Sequence, residues 1–136
     1  MVDDVILNKA AAIERCVARV REEHGGNDAR LLRDQTRQDA IILNLQRACE
    51  AAIDLAMHEI RRRHLGVPQE SRDAFTLLAN AGLLDSALAD KMIRMVGFRN
   101  VAVHDYRALN LAIVQAIISK HLDDFLALAQ WALALS

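Results

Sequence analysis

The segment Gly97–Tyr106, GFRNVAVHDY, holds Arg99, Asn100, His104 and the chain's one tyrosine, Tyr106, beside a run of apolar residues. An arginine is always charged and presents a planar fork of donors that suits phosphate oxygens. A histidine titrates near neutrality, and a tyrosine offers a hydroxyl. Together these types can hold a phosphate and move a proton beside it.

Their placement raises a difficulty. On a helical wheel Arg99 lies about 20° from Met92, inside an apolar stripe with Val96 and Val103, where an unpaired charge costs several kcal/mol. It therefore needs a carboxylate, a phosphate or a subunit boundary. His104 lies about 140° around the wheel from Arg99, so the two side chains of one continuous helix point apart. Either the helix ends near Val103 and the chain bends His104 back, or a two-fold axis brings two copies of the helix together. Gly97 and Asn100 share the His104 face, as close packing of two helices requires. From residue types alone a purely structural ion pair stays open, with Asp90 or Asp105 as the partner of Arg99 across an interface.

The elements that must position this segment are helical. At 136 residues, rich in Ala and Leu and with one proline, the chain reads as one all-α domain over 1–136. Val5, Ala12, Ile13, Val17 and Val20 predict a first helix from about Asp3 to Glu23, closed by Gly25 and Gly26. A polar stretch with room for one short turn follows. Thr36 and Asp39 resemble a capping box opening a second helix that runs to about Leu65, roughly 45 Å long. Gly66 and Pro68 stop it, Ser71 caps a short third helix carrying Phe75, Leu77 and Leu78, and Gly82 ends that one. Asp85 and Ser86 open a fourth helix, apolar nearly all round and so expected to be central. A single fifth helix repeats Leu111, Val114, Ile118, Leu122, Phe125, Ala129 and Ala132. The expected architecture is an antiparallel four-helix bundle with one extra short helix.

Composition narrows the function. The formal charge of −1 provides no global basic field, so any contact with RNA must be local. The isolated Cys16 and Cys49 read as core thiols of a reduced, cytoplasmic protein, with no leader and no bilayer-spanning run. Arg61, Arg62, Arg63 and His64 fall in a last helical turn, where cations favour the helix terminus. His58 and Glu59 face differently, and His121 and Asp124 lack a third ligand, so no metal site is expected. Phosphate-loop, zinc-protease and nucleophile-elbow motifs lack their required residues.

R-N-x-x-x-H-x-Y on a late helix of a small all-α chain resembles the HEPN superfamily, in its HepT-type toxin branch. The R-x-(four to six)-H signature falls on Arg99 and His104. The stretches Ile42–Ala56 and Gly66–Leu84 are also similar to HepT sequences. The resemblance implies a homodimeric, metal-independent endoribonuclease toxin of a type VII-like toxin–antitoxin pair, without a cofactor, whose paired motifs line a cleft at the dimer interface. It further implies that Arg99 binds the scissile phosphate and that His104 acts on the 2′-hydroxyl or the leaving 5′-oxygen, with a 2′,3′-cyclic phosphate as product. Asn100 supports RNA or the histidine. Tyr106 is the position adenylylated by a cognate MntA-type nucleotidyltransferase antitoxin, possession of which implies a larger hetero-oligomer. An alternative within the superfamily is a non-catalytic module that presents nucleotide or substrate to a nucleotidyltransferase.

Overall fold

The structure is a computed structural model and describes residues 3–135. All regular structure among these residues is helical: α1 (Asp4–His24), α2 (Asp28–Arg33), α3 (Gln35–Arg63), α4 (Ser71–Asn80), α5 (Ser86–His104), a 3-10 turn (Tyr106–Ala108), α6 (Leu111–Lys120) and α7 (Leu122–Leu135). No helix among them is long and apolar enough to cross a membrane.

Side-chain pairs fix the direction of the four long helices. Asp3 meets His58, Lys9 meets Asp54 and Glu23 meets Arg37, so α1 and α3 run antiparallel. Cys49 reaches the Met95 carbonyl and Tyr106 reaches Asp39, so α3 and the α5 segment are antiparallel too. Lys91 pairs with Asp124 and the Leu83 carbonyl accepts from the Trp131 indole at 2.7 Å, which runs α7 against α5. The buried apolar side chains form one cluster to which every helix contributes, with Phe75, Phe125, Leu45 and Leu55 almost wholly enclosed.

Three helix boundaries differ from the sequence reading, and two of the differences matter for the site. The long helix opens at Gln35, with Asp34 as its cap accepting from the Arg37 N–H at 3.2 Å. The carboxylate one residue before the helix reaches that orphan donor, which leaves Asp39 free for another partner. Likewise α4 is capped by Glu70, whose own N–H donates to the Asp73 carboxylate at 3.0 Å. Ser71 is thus the first helical residue, and its hydroxyl is free to face elsewhere. The expected fifth helix is two helices broken at His121, whose carbonyl accepts from the Asp124 N–H at 3.1 Å while its ring meets the Asp124 carboxylate at 2.8 Å. No Gly or Pro marks that break.

The α5 helix is not central. Ala89, Met92, Met95, Val96, Phe98 and Ala102 are buried, whereas Val101 is 38% and Val103 45% exposed. Its residues are apolar nearly all round, but the bundle covers only one side. The Arg61–Arg63 run has a specific partner beyond the helix terminus: fully enclosed Glu59 accepts from Arg63 at 2.8 Å and from Arg62 at 3.3 Å.

Candidate functional site

Arg99 sits on α5 with its inner side toward Cys49 of α3. Burial pushes the Cys49 thiol well up, against the opposing pull of the Arg99 charge. The guanidinium donates from Nη2 to the Ser71 hydroxyl at 3.2 Å. Its Nε is buried and finds no hydrogen-bond partner among the described residues. No described carboxylate forms an ion pair with it; Glu70, the acidic residue in the lining of the same cleft, is held by Arg72 at 2.8 Å. The cleft is about 280 Å³ and is lined by Glu70, Ser71, Arg72, Val96, Arg99 and Asn100. A half-buried guanidinium with an unsatisfied donor, opening on a polar cleft beside a second arginine, is arranged to receive an oxyanion. The sequence marks Ser71 only as a helix cap and does not mark Arg72, although both lie in the Gly66–Leu84 stretch.

His104 is the last residue of α5 and is exposed. The helix continues through it, so the chain does not bend the imidazole back, and His104 does not line the Arg99 cleft. Within one copy the signature pair stays apart, as the wheel requires. Asn100 lies between them in angle, about 100° from Arg99 and about 40° from His104, and it lines the Arg99 cleft. Gly97 is exposed on the His104 side, and a Cβ added there would meet nothing within 4 Å. A mid-helix glycine costs roughly 0.5–1 kcal/mol relative to Ala, and nothing inside this chain requires it. Beside it an apolar groove of about 380 Å³ runs between α5 and α6, including Phe98, Val101, Leu109 and Ile113.

Tyr106 opens the 3-10 turn and is 38% exposed. Its hydroxyl is not simply in water: it donates to Asp39 Oδ1 of α3. Partial burial, followed by that neighbouring carboxylate, pushes the phenol up to about 12. The same Asp39 oxygen accepts from Gln35 Nε2 at 2.8 Å. In the sequence Asp39 reads as part of the T-x-x-D capping pattern, which hides this partnership. Among the described residues no cluster of His, Cys, Asp and Glu is disposed to hold a metal.

Residues 13–131 match the family described as ribonuclease HepT-like. The chain is 50% identical over 123 residues to the mRNA nuclease HepT of Shewanella oneidensis, covering 90% of this chain and 92% of that protein. It superposes with a TM-score of 0.93 on the tri-AMPylated Shewanella oneidensis HEPN toxin solved in complex with MNT antitoxin, at 47% identity over 98% of this chain and 99% of that one. A toxin–antitoxin structure with AMP-PNP is equally similar, with a TM-score of 0.93 and 47% identity over 97% and 99% of the two chains.

Proposed function

The chain belongs to the HepT-like ribonuclease family, and from that premise we propose how its residues cleave RNA and how that cleavage is silenced. It is the ribonuclease toxin of a toxin–antitoxin pair whose antitoxin is a nucleotidyltransferase of the MNT type. It acts in the cytoplasm, where messenger RNA is found.

The observation that carries the catalytic reading is the half-buried Arg99, with no carboxylate partner and one orphaned N–H, in the cleft it shares with Ser71 and Arg72. Arg99 binds the scissile phosphate and stabilises the charge that builds on its oxygens in the transition state. His104 exchanges the protons. The 2′-oxygen loses its proton to an imidazole and attacks the phosphorus, and the 5′-oxygen leaves with a proton, giving a 2′,3′-cyclic phosphate. Asn100, between the two on the helix, orients RNA.

Arg99 and His104 diverge on one helix, so the working cleft belongs to a homodimer. Exposed Gly97, Val101 and Val103 on α5, with Ile113 on α6, supply the face on which a second copy packs. The His104 of one copy then faces the Arg99 of the other, where its imidazole takes the 2′-hydroxyl proton and passes it to the leaving 5′-oxygen.

Tyr106 is the residue the antitoxin adenylylates. AMP phosphates two residues from His104 place negative charge and bulk at the mouth of the cleft, where they repel RNA phosphate and compete for Arg99. Purified chain incubated with RNA in excess chelator tests the catalytic reading. Parent protein should cut the RNA and leave 2′,3′-cyclic phosphate ends, while folded Arg99→Ala and His104→Ala should not. Equal cutting by either variant would remove that residue from the chemistry.

A further inference from the structure

A phenol is a reluctant nucleophile, and this one is more reluctant than most. With its titration pushed up to about 12, Tyr106 is phenolate at neutral pH in only about one part in 10⁵. Attack on a phosphorus atom therefore needs an acceptor for the hydroxyl proton as the bond forms. The chain already holds one in place. Asp39 is in the second turn of α3, and its Oδ1 accepts the Tyr106 hydroxyl directly. Gln35, one turn earlier on the same helix, donates to that oxygen at 2.8 Å and fixes the carboxylate. Among the described residues no Lys, Arg or His forms an ion pair with Asp39, so no cation quenches its capacity to accept a proton.

We infer that Asp39 is the general base for nucleotide transfer to Tyr106, so that the toxin supplies a catalytic group for its own silencing. The inference rests on the reading of Tyr106 as the modified residue. Tyr106 Oη attacks the α-phosphorus of a nucleoside triphosphate held by the transferase. The Oη–P bond forms, the bridging bond from the α- to the β-phosphate breaks, pyrophosphate leaves, and the hydroxyl proton passes to Asp39 Oδ1. A cleft of about 410 Å³ beside the ring, lined by Gln35, Gln38, Ile42 and Arg107 among others, gives room for the incoming nucleotide. Among the described residues lining it Arg107 carries the one charge, of the sign that suits phosphate oxygens. The rest of that lining, from α3, the 3-10 turn and α6, is uncharged.

The alternative role for the carboxylate makes the opposite prediction. If Asp39 only holds the phenol protonated, its removal lets the phenol ionise more easily and transfer speeds up. The test measures transfer by intact mass, with full-length chain, purified nucleotidyltransferase and ATP across roughly pH 6 to 9. Asp39→Asn, which keeps the shape and can still accept a hydrogen bond, should lower kcat by about 10²-fold or more with KM for the chain unchanged. Its residual rate should climb with pH as phenolate becomes available, and Asp39→Glu should recover part of the loss. Circular dichroism and thermal unfolding matched to the parent establish that both variants are folded. Transfer to Asp39→Asn at the parental rate or faster, or a change confined to KM, would overturn the inference and leave Tyr106 as the target. Absence of AMP on Tyr106 in the parent overturns the reading it rests on, a distinct result.

Discussion

Replacing Arg99 by methionine should make the protein more stable and nearly inactive. Methionine keeps an unbranched apolar stem and discards the charge. The fold loses one hydrogen bond, from Nη2 to the Ser71 hydroxyl at 3.2 Å, contributing about 1.5 kcal/mol for a charged donor and nearer 1 where the group is partly solvated. It is relieved of a buried Nε with no partner, a desolvation cost of about 1–3 kcal/mol. The balance favours Arg99→Met by about 1 kcal/mol, or about 4 °C in Tm for a chain of this length. RNA cleavage should fall by at least about 10²–10³-fold, as when a transition-state donor is removed. Thermal unfolding at one fixed protein concentration, since a dimer's Tm depends on it, run beside the cleavage assay, checks both. A variant destabilised by more than about 1 kcal/mol would refute the reasoning. Such a loss means the guanidinium is neutralised in the folded assembly, as in a structural ion pair with Asp90 or Asp105 across an interface.

Three further outcomes are expected. His104→Ala, at an exposed helix end, should keep the parental Tm within about 0.5 kcal/mol of stability and lose about 10²–10⁴-fold in cleavage, relieving growth arrest in cells. Gly97→Leu fits the isolated chain, where a Cβ meets nothing; it should retain helicity yet sediment as a monomer without cleavage activity, and an active dimer would remove this face from the interface. Tyr106 is the only tyrosine, so phenolate absorbance reports it alone. Its midpoint should lie near the value of about 12 and fall only part of the way toward the ordinary phenol value of about 10 in Asp39→Asn, because burial, the larger cause, remains. Because the fold raises this value, its contribution to stability is complete below the ordinary phenol range and is lost as pH rises through the folded midpoint.

The helices were readable because their apolar period and their stop signals are local: Gly25 and Gly82 close α1 and α4 with positive φ, as the sequence anticipates. Boundaries decided by competition between adjacent polar side chains were not. Asp34 rather than Thr36 caps α3, and Glu70 rather than Ser71 caps α4. Those two shifts release Asp39 and Ser71, which then meet Tyr106 and Arg99 from helices far away in sequence. The spacing of Arg99 and His104 was legible, and so was their divergence, since both follow from the helical angle. The solvent side of α5 was not, because Val101 and Val103 look like core residues until the bundle is seen to leave them uncovered.

Cleavage requires Arg99 of one copy and His104 of another to meet in one cleft. Co-expressing Arg99→Ala with His104→Ala, and isolating the mixed dimer by two affinity tags, measures this directly. Each variant alone should be inactive toward RNA, and the mixed dimer, which carries one intact arginine and one intact histidine on different chains, should regain cleavage. A folded mixed dimer as inactive as its parents would contradict the account.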